Sequence, residues 1–465
     1  MKFRRIKQTH KTDLESIVGH ERFSTGESNL ELHSKDESHH PPCQPEAVIW
    51  PINKTEVSEI LQYANRHMIP VTGWGSGTSL EGNPIPVLNG LVLDFSRMNK
   101  IINIREADFQ ADVEPGVVYQ DLNRKLRHKG LFFPPDPGAR ATIGGMIANN
   151  ASGTRTVRYG STRANVLRLT VALANGEVIK TGSRSSKTSS GYDLINLIVG
   201  SEGTLGIVVE ATVRLRGLPE DLSAVIVTFP NVDSAGRAVF EIMRSGLNPA
   251  SLELLAPECV ALINKEKNLG LKVSPTLFIE FHGPSRNQLE EITEMTHDIC
   301  ESIGCHEFRP GIGRKERDDI LNARHELAET IKRNHPGRSH VVIDVAVPVS
   351  SYPEIISLAR EESKKAEIPG YTFSHAGDGN LHLVFMGKIG DKKEWTIIDR
   401  INERIVSKAL AMGGTATGEH GVGIGKRKFM EAEHGLSLEW MKKIKNLFDP
   451  NGILNPGKIF FSSFS

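Results

Sequence analysis

Pro70-Val-Thr-Gly-Trp-Gly-Ser-Gly-Thr-Ser-Leu-Glu-Gly-Asn83 is the stretch from which the fold can be read. Gly73, Gly75, Gly77 and Gly82 leave backbone N–H groups unshielded, and Ser76, Thr78 and Ser79 add hydroxyls. Successive bare amides form a concave nest for anions, suited to a pyrophosphate. The segment is not the dinucleotide fingerprint GxGxxG: counted from Gly75, the third glycine falls on Leu80, and no amphipathic helix follows directly. Taken alone, it also fits a glycine-rich turn with no ligand. Two further segments change that balance. Phe133 to Gly153 (FPPDPGARATIGGMIANNASG) sets small residues at Gly144, Gly145, Ala148, Ala151 and Gly153 beside the neutral hydrogen-bonding groups Asn149, Asn150 and Ser152. Gly200-Ser-Glu-Gly-Thr-Leu-Gly206 precedes an apolar run. Three such loops, each beside a strand, suit one extended cofactor with a phosphate end and a polar ring end.

Around these loops, residues 45–217 alternate helix and strand. Asn53 with Glu56 reads as a capping box, and Val57, Ile60, Leu61 and Ala64 follow at helical spacing. Short β-type runs stand at 69–72 and 91–95, and longer ones at 166–174 and 206–215. Val118, Leu122 and Leu126 mark a helix stopped by Gly130. The pattern breaks at Gly217-Leu-Pro-Glu220, which reads as a domain boundary. Beyond it, strands at 224–229, 274–281 and 340–347 are separated by polar helices, the grammar of an α+β unit with an antiparallel sheet. The last 30 residues read as a helix at 436–448 and a turn before Asn455-Pro-Gly-Lys458.

Composition closes several classes. In 465 residues, 56 Lys+Arg balance 56 Asp+Glu, which argues against nucleic acid as the main partner. With 38% hydrophobic and 24% charged residues the chain is too apolar for disorder. Its apolar runs, such as 194–199, fall far short of the ~20 residues of a membrane helix. No apolar segment follows the basic start 1–11, so a secretory signal is not expected. Cys43, Cys259, Cys300 and Cys305 form no CxxC pair and fit reduced thiols in a cytoplasmic setting.

The most chemical stretch of the second half is Tyr371-Thr-Phe-Ser-His375-Ala-Gly-Asp-Gly-Asn-Leu-His382. Asp378-Gly379 is a two-residue hairpin signal. If it is the turn, His375 lies directly opposite His382 on one face, where both can bind one metal ion or form a purely structural pair. Gly413 to Gly425 then sets Glu419-His420 among glycines, after a helix expected at 393–412. Two histidines and one carboxylate leave open positions on a divalent ion, as in catalytic rather than structural sites.

Together these segments resemble the FAD-binding vanillyl-alcohol oxidase / p-cresol methylhydroxylase superfamily. Within it, residues 46–458 resemble the D-lactate dehydrogenase / glycolate oxidase D-subunit family. The resemblance implies an α+β protein. A two-subdomain FAD-binding domain of the p-cresol methylhydroxylase type is expected over 1–217, and an α+β, ferredoxin-like substrate cap with antiparallel sheet and metal site over 218–435. A C-terminal helix and tail at 436–465 is expected to return to the FAD-binding domain. It implies that Gly73, Trp74, Gly75, Ser76, Gly77 and Thr78 hold the pyrophosphate, while Pro135, Asp136, Thr142, Gly145, Asn150 and Gly153 line the flavin. Glu202, Gly206, Ile207 and Asn455 complete the cofactor set. Some relatives tether flavin through a histidine in the first loop; Thr78 and Ser79 stand there, so FAD is expected to be non-covalent.

By the same resemblance His375, His382 and Glu419 hold zinc or a similar ion (manganese, iron), His420 is the base, and Arg324 clamps the substrate carboxylate. Relatives acting on dicarboxylic 2-hydroxy acids carry an added lysine and threonine; Val342 and Ala328 stand at those places, which favours a monocarboxylate such as D-lactate or glycolate. Electrons are expected to pass to a quinone, a cytochrome, an electron-transfer flavoprotein or an iron–sulfur subunit, with a peripheral place at a membrane left open. Other readings are a flavin subunit of a glycolate oxidase complex, a metallohydrolase with a nucleotide-binding glycine loop, and another branch such as an ether-lipid synthase.

Overall fold

Helix Lys54–His67 begins where the Asn53 side chain accepts the Glu56 backbone N–H at 3.0 Å. It buries Val57, Ile60, Leu61 and Ala64 and ends at Met68, which turns left-handed. The computed structural model describes residues 3–267, 270–313, 315, 317–318, 321, 324 and 326–461. Its contacts divide the chain into two units. The first comprises Met1–Ser152, Gly160–Leu218 and Glu419–Ser465; the second comprises Gly153–Tyr159 and Pro219–Gly418.

In the first unit that helix is the crossover between two parallel strands, Ala47–Ile49 and Val71–Trp74, which both pair with Leu91–Asp94. Phe23–Ser24 adds an antiparallel edge. The run expected at 69–72 therefore lies further along. Gly73 pairs with Leu93 and Trp74 with Asp94, so these two residues belong to the ladder and the loop proper begins at Gly75. A loop leaving the carboxyl end of a parallel strand is where open α/β sheets place ligands. A second sheet of five antiparallel strands runs in the order Ile101–Arg105, Gln110–Val113, Ile207–Arg214, Val166–Ala172, Val178–Gly182. One apolar core joins Val57, Ile60 and Leu61 to Val71, Leu93 and Ile207; another joins Leu122 and Leu126 to Val113, Leu169 and Val213.

The C-terminal return to this unit starts at Glu419, not at 436, and Gly153–Tyr159 falls with the second unit. Backbone polarity explains the early return: Ile424 N–H donates to the Glu81 carbonyl at 2.7 Å, and Val422 N–H donates to the Glu202 carboxylate at 2.6 Å. Helix Ser437–Phe448 follows, and the tail then lies along the sheet edge, with Leu454 bridging Val71 and Asn455 N–H donating to the Val71 carbonyl. Among the described residues no helix is long and apolar enough to cross a membrane.

The second unit is built on one antiparallel sheet of seven strands, in the order Glu307–Ile312, Asp221–Thr228, Thr276–Gly283, Ser251–Leu255, Gly370–His375, Asn380–Lys388, Arg338–Ala346. Helices Val232–Arg244 and Tyr352–Ala366 bury one stripe each, including Val239 and Ile242 in the first and Ile355 and Ala359 in the second. The hairpin register differs from the two-residue turn expected. His375 pairs with Asn380, and His382 pairs with Phe373. Ala376–Asp378 forms a short 3-10 turn and Gly379 closes it at φ 69°, so the connection takes four residues. The shift is even, so both histidines stay on one face as diagonal neighbours, with ring centroids 5.1 Å apart.

Two predictions follow from this packing. A Cβ added at Gly379 would run into the Val347 carbonyl oxygen in a left-handed backbone. Gly379→Ala should therefore cost roughly 1–3 kcal/mol, read as a lowered melting temperature; an unchanged one would contradict the turn. Lys458 is 2% exposed, and its ammonium donates to the Ile85 carbonyl and, at 3.1 Å, to Asn455 Oδ1. Burial outweighs the nearby Glu202 charge and pulls its pKa from 10.5 down to about 7. Across that interval the unfolded chain binds one more proton than the folded one, so stability rises with pH. Melting curves between about pH 7 and 10 should show that rise in the native protein and a flatter one in Lys458→Met; equal slopes would contradict it.

Candidate active site

The first unit contains a cleft with about 940 Å³ of empty space, solvent at its mouth included. Gly73, Gly75, Ser76, Gly77 and Thr78 line it from the first glycine segment, and Thr142 and Gly145 from the second. Thr142 caps helix Ile143–Asn149, its hydroxyl accepting the Gly145 N–H at 3.3 Å. A Cβ at Gly75 would strike that same hydroxyl, and one at Gly77 would come within 2.7 Å of the Trp74 ring. At these two positions the backbone has no room for a side chain. An adjoining recess is lined by Trp74, Gly206 and Ile207.

Glu202 and Asn455 stand at the cleft wall. Glu202 is fully buried in a left-handed backbone, and its carboxylate accepts N–H groups from Val422 and Gly423. Burial still holds its pKa above the usual carboxylate range. Asn455 donates to the carbonyls of Asn83 and Glu202, tying tail, loop and wall together.

Pro135, Asp136, Asn150 and Gly153 are not among the residues that line this cleft. Asp136 accepts the Tyr119 hydroxyl at 2.6 Å, Pro135 is buried beside it, and neither lines the cleft. Asn150 ends helix Ile143–Asn149 in a left-handed conformation, and its side-chain Oδ1 accepts from the Ser161 hydroxyl and the Arg163 backbone N–H. Gly153 belongs to the second unit.

Glu419 and His420 line the same cleft. Glu419 accepts the Ser152 hydroxyl at 2.8 Å, and the His420 carbonyl accepts from Asn149 at 3.5 Å. His420 Nε2 lies 3.9 Å from Glu419 Oε1. Glycines at 421 and 423 keep this strand of backbone against the wall: a Cβ at Gly421 would meet the Asn83 amide at 2.8 Å.

In the second unit His375 and His382 share a sheet face with three buried carboxylates. His375 Nδ1 bonds Glu253 Oε1 at 2.7 Å, and Arg324 reaches Glu253 Oε2 through Nε and Nη2 at 3.0 and 2.6 Å. The Arg324 guanidinium also stacks 4.8 Å from the Phe373 ring. Burial pushes the Glu253 carboxyl up, but His375 and Arg324 outweigh it and hold it below the usual range. His382 Nδ1 lies 3.6 Å from Asp344 Oδ1, whose carboxylate also accepts from Asn380 and Thr417. Further along, Glu280 bonds His282 at 3.0 Å and Arg317 at 2.7 Å. These partners overcome its burial and bring its pKa to about 2.

The donor set suits a divalent ion. An imidazole that gives its Nδ1 hydrogen to a carboxylate turns the Nε2 lone pair outward, the arrangement seen where carboxylates support metal-binding histidines. Gly418 closes this unit against Asn380 and Asp344, and Glu419 is the next residue in the chain. Val342, half-buried, packs against the apolar part of the same face, whereas Ala328 is exposed on helix Leu327–Arg333.

Sequence reasoning missed Glu253, Glu280 and His282. The signal for all three was present as charge inside apolar strands, Ser-Leu-Glu253-Leu-Leu and Leu-Phe-Ile-Glu280-Phe-His282. Buried charges in such runs are held by partners.

Residues 218–459 match the family model for the C-terminal domain of FAD linked oxidases, and residues 45–182 match that of an FAD binding domain. A Danio rerio protein named probable D-lactate dehydrogenase, mitochondrial, is 39% identical over 448 residues, covering 96% of this chain and 90% of its own. Glycolate oxidase subunit GlcD of Bacillus subtilis is 37% identical over 455 residues, covering 97% and 96%. Solved p-cresol methylhydroxylase, at 16% identity, shares the fold with a TM-score of 0.82 and 99% coverage of both chains. A 4-ethylphenol oxidase from Gulosibacter chungangensis does so with 0.80 at 19% identity, covering 98% of this chain and 97% of its own. The chain thus belongs to the FAD-linked oxidases, as an oxidoreductase related to the D-lactate dehydrogenases.

Proposed function

We propose that the protein oxidises a small D-2-hydroxy acid, D-lactate or glycolate, to the corresponding 2-oxo acid. One observation carries this reading: a single buried carboxylate, Glu253, joins the imidazole of His375 to the guanidinium of Arg324. A metal-type ligand and a carboxylate-type clamp side by side match a substrate with a hydroxyl next to a carboxylate. When bound, FAD would supply a hydride acceptor, and a divalent cation (zinc, or manganese or iron) would supply Lewis acidity toward a hydroxyl and a carboxylate. FAD would lie non-covalently along Gly75 to Thr78, Thr142 and Gly145; His375, His382 and Glu419 would hold the cation.

The chain's own residues supply the rest. Arg324 binds and orients the substrate carboxylate through Nη1, which neither bond to Glu253 uses. The His420 imidazole, whose Nε2 lies 3.9 Å from the Glu419 carboxylate, takes the hydroxyl proton. Val342 offers no charge to a second carboxylate, which favours a monocarboxylate. The names of the relatives support two destinations for the electrons. An Arabidopsis thaliana relative, 38% identical over 416 residues, is named D-lactate dehydrogenase [cytochrome], which supports a cytochrome acceptor. The Bacillus subtilis relative is named as a subunit, which supports a second reading as the flavin chain of a multi-subunit glycolate oxidase.

Two variants test the assignment. His420→Ala should keep flavin and cation but lose roughly 10²–10⁴ in turnover; near-normal turnover would remove His420 from the role of base. His382→Ala should lose the cation and the activity together while the flavin spectrum stays. Full cation stoichiometry in that variant, by elemental analysis, would overturn the two-histidine site.

A further inference from the structure

The Glu253 carboxylate is 1% exposed, and both its oxygens are committed to groups of different function. Its backbone cannot drift, because Glu253 pairs with Phe278 on one side and with His375 on the other. Oε1 takes the Nδ1 hydrogen of His375 at 2.7 Å, which fixes that imidazole as the Nδ1–H tautomer with its Nε2 lone pair outward. Oε2 takes the Nε and Nη2 edge of Arg324, and the Phe373 ring lies 4.8 Å from the guanidinium face. Arg324 is thereby held in one plane with its other edge presented. Neither partner can shift without moving the carboxylate that holds the other.

We propose that Glu253 is a positioning residue that couples the two halves of substrate recognition, setting the tautomer of the cation-binding His375 and the aim of the carboxylate-binding Arg324 at once. This rests on the reading above, in which His375 holds a divalent cation and Arg324 a carboxylate. Its consequence is linkage. Cation affinity and carboxylate affinity share one structural determinant, so a change at Glu253 lowers both, though Glu253 touches neither ligand. An amide cannot replace it. The glutamine side chain can accept from only one of the two partners, and its NH₂ would face a donor at the other or force His375 into the opposite tautomer.

The test uses full-length, flavin-loaded protein and two binding measurements that do not depend on turnover. Zn²⁺ affinity is read by competition with a chromophoric chelator, and propionate affinity by perturbation of the flavin absorbance. In Glu253→Gln both should weaken, Zn²⁺ by roughly 10–100-fold and propionate by at least about tenfold, with flavin content unchanged. If either affinity equals that of the native protein, the coupling is overturned. Should the single variant fail to fold, Glu253→Gln with Arg324→Met removes both charges and leaves none uncompensated. Its Zn²⁺ affinity should fall in the same range, and native Zn²⁺ affinity there overturns the proposal equally. Failure of the underlying reading looks different: the native protein itself would bind no Zn²⁺, or His375→Ala would bind it as tightly as the native protein.

Discussion

An ionised carboxylate buried inside a β-strand is costly unless charged and hydrogen-bonding partners meet it there. Glu253 satisfies that constraint by recruiting His375 from the neighbouring strand and Arg324 from 71 residues further along the chain. The requirement then propagates. His375 must stand on the Glu253 side of the sheet, so the 370–388 hairpin must keep its parity, and Gly379 must turn left-handed to close four residues of loop. Asp344 and Asn380 complete the same face, and Gly418 fits against them because it has no side chain. Much of the second unit's geometry is thus the set of conditions under which one buried charge is tolerable.

The first unit solves a different problem with backbone. Its cleft is lined by residues of the glycine segments, and the wall behind them holds Glu202, Asn455 and Lys458 in one buried polar cluster. A carboxyl pushed up and an ammonium pushed down in pKa describe a dry wall in which each charge is only partly compensated. Such strain is expected beside a site and would be costly in a region that only had to fold.

How much of this was legible in the sequence depends on whether the deciding physics was local. The glycine loops, the Asn53 cap and the strand–helix alternation are local, and they appear close to where the residues put them, with the strand at Val71–Trp74 shifted by two positions. The hairpin was legible in parity but not in register. Asp378-Gly379 signals a turn, yet only the fit of Gly379 against Val347 decides its length, and an even slip keeps His375 and His382 on one face. Asp136 and Asn150, polar residues inside a cofactor-like segment, also have local partners that the sequence did not show: one accepts the Tyr119 hydroxyl and the other ends a helix. Glu253 could not be assigned a role because its partners lie 122 and 71 residues away, and strand order is a tertiary fact.

The central claim, cation-dependent hydride removal from a D-2-hydroxy acid, is tested most directly by anaerobic bleaching of the flavin. Absorbance in the flavin band is followed while D-lactate, L-lactate, glycolate and D-2-hydroxyglutarate are added in turn, with and without a chelator. The account predicts rapid bleaching by D-lactate or glycolate, little by L-lactate or the dicarboxylate, and loss of bleaching after chelation. Bleaching that survives complete removal of the cation, or a flavin that none of the four acids reduces, would contradict it.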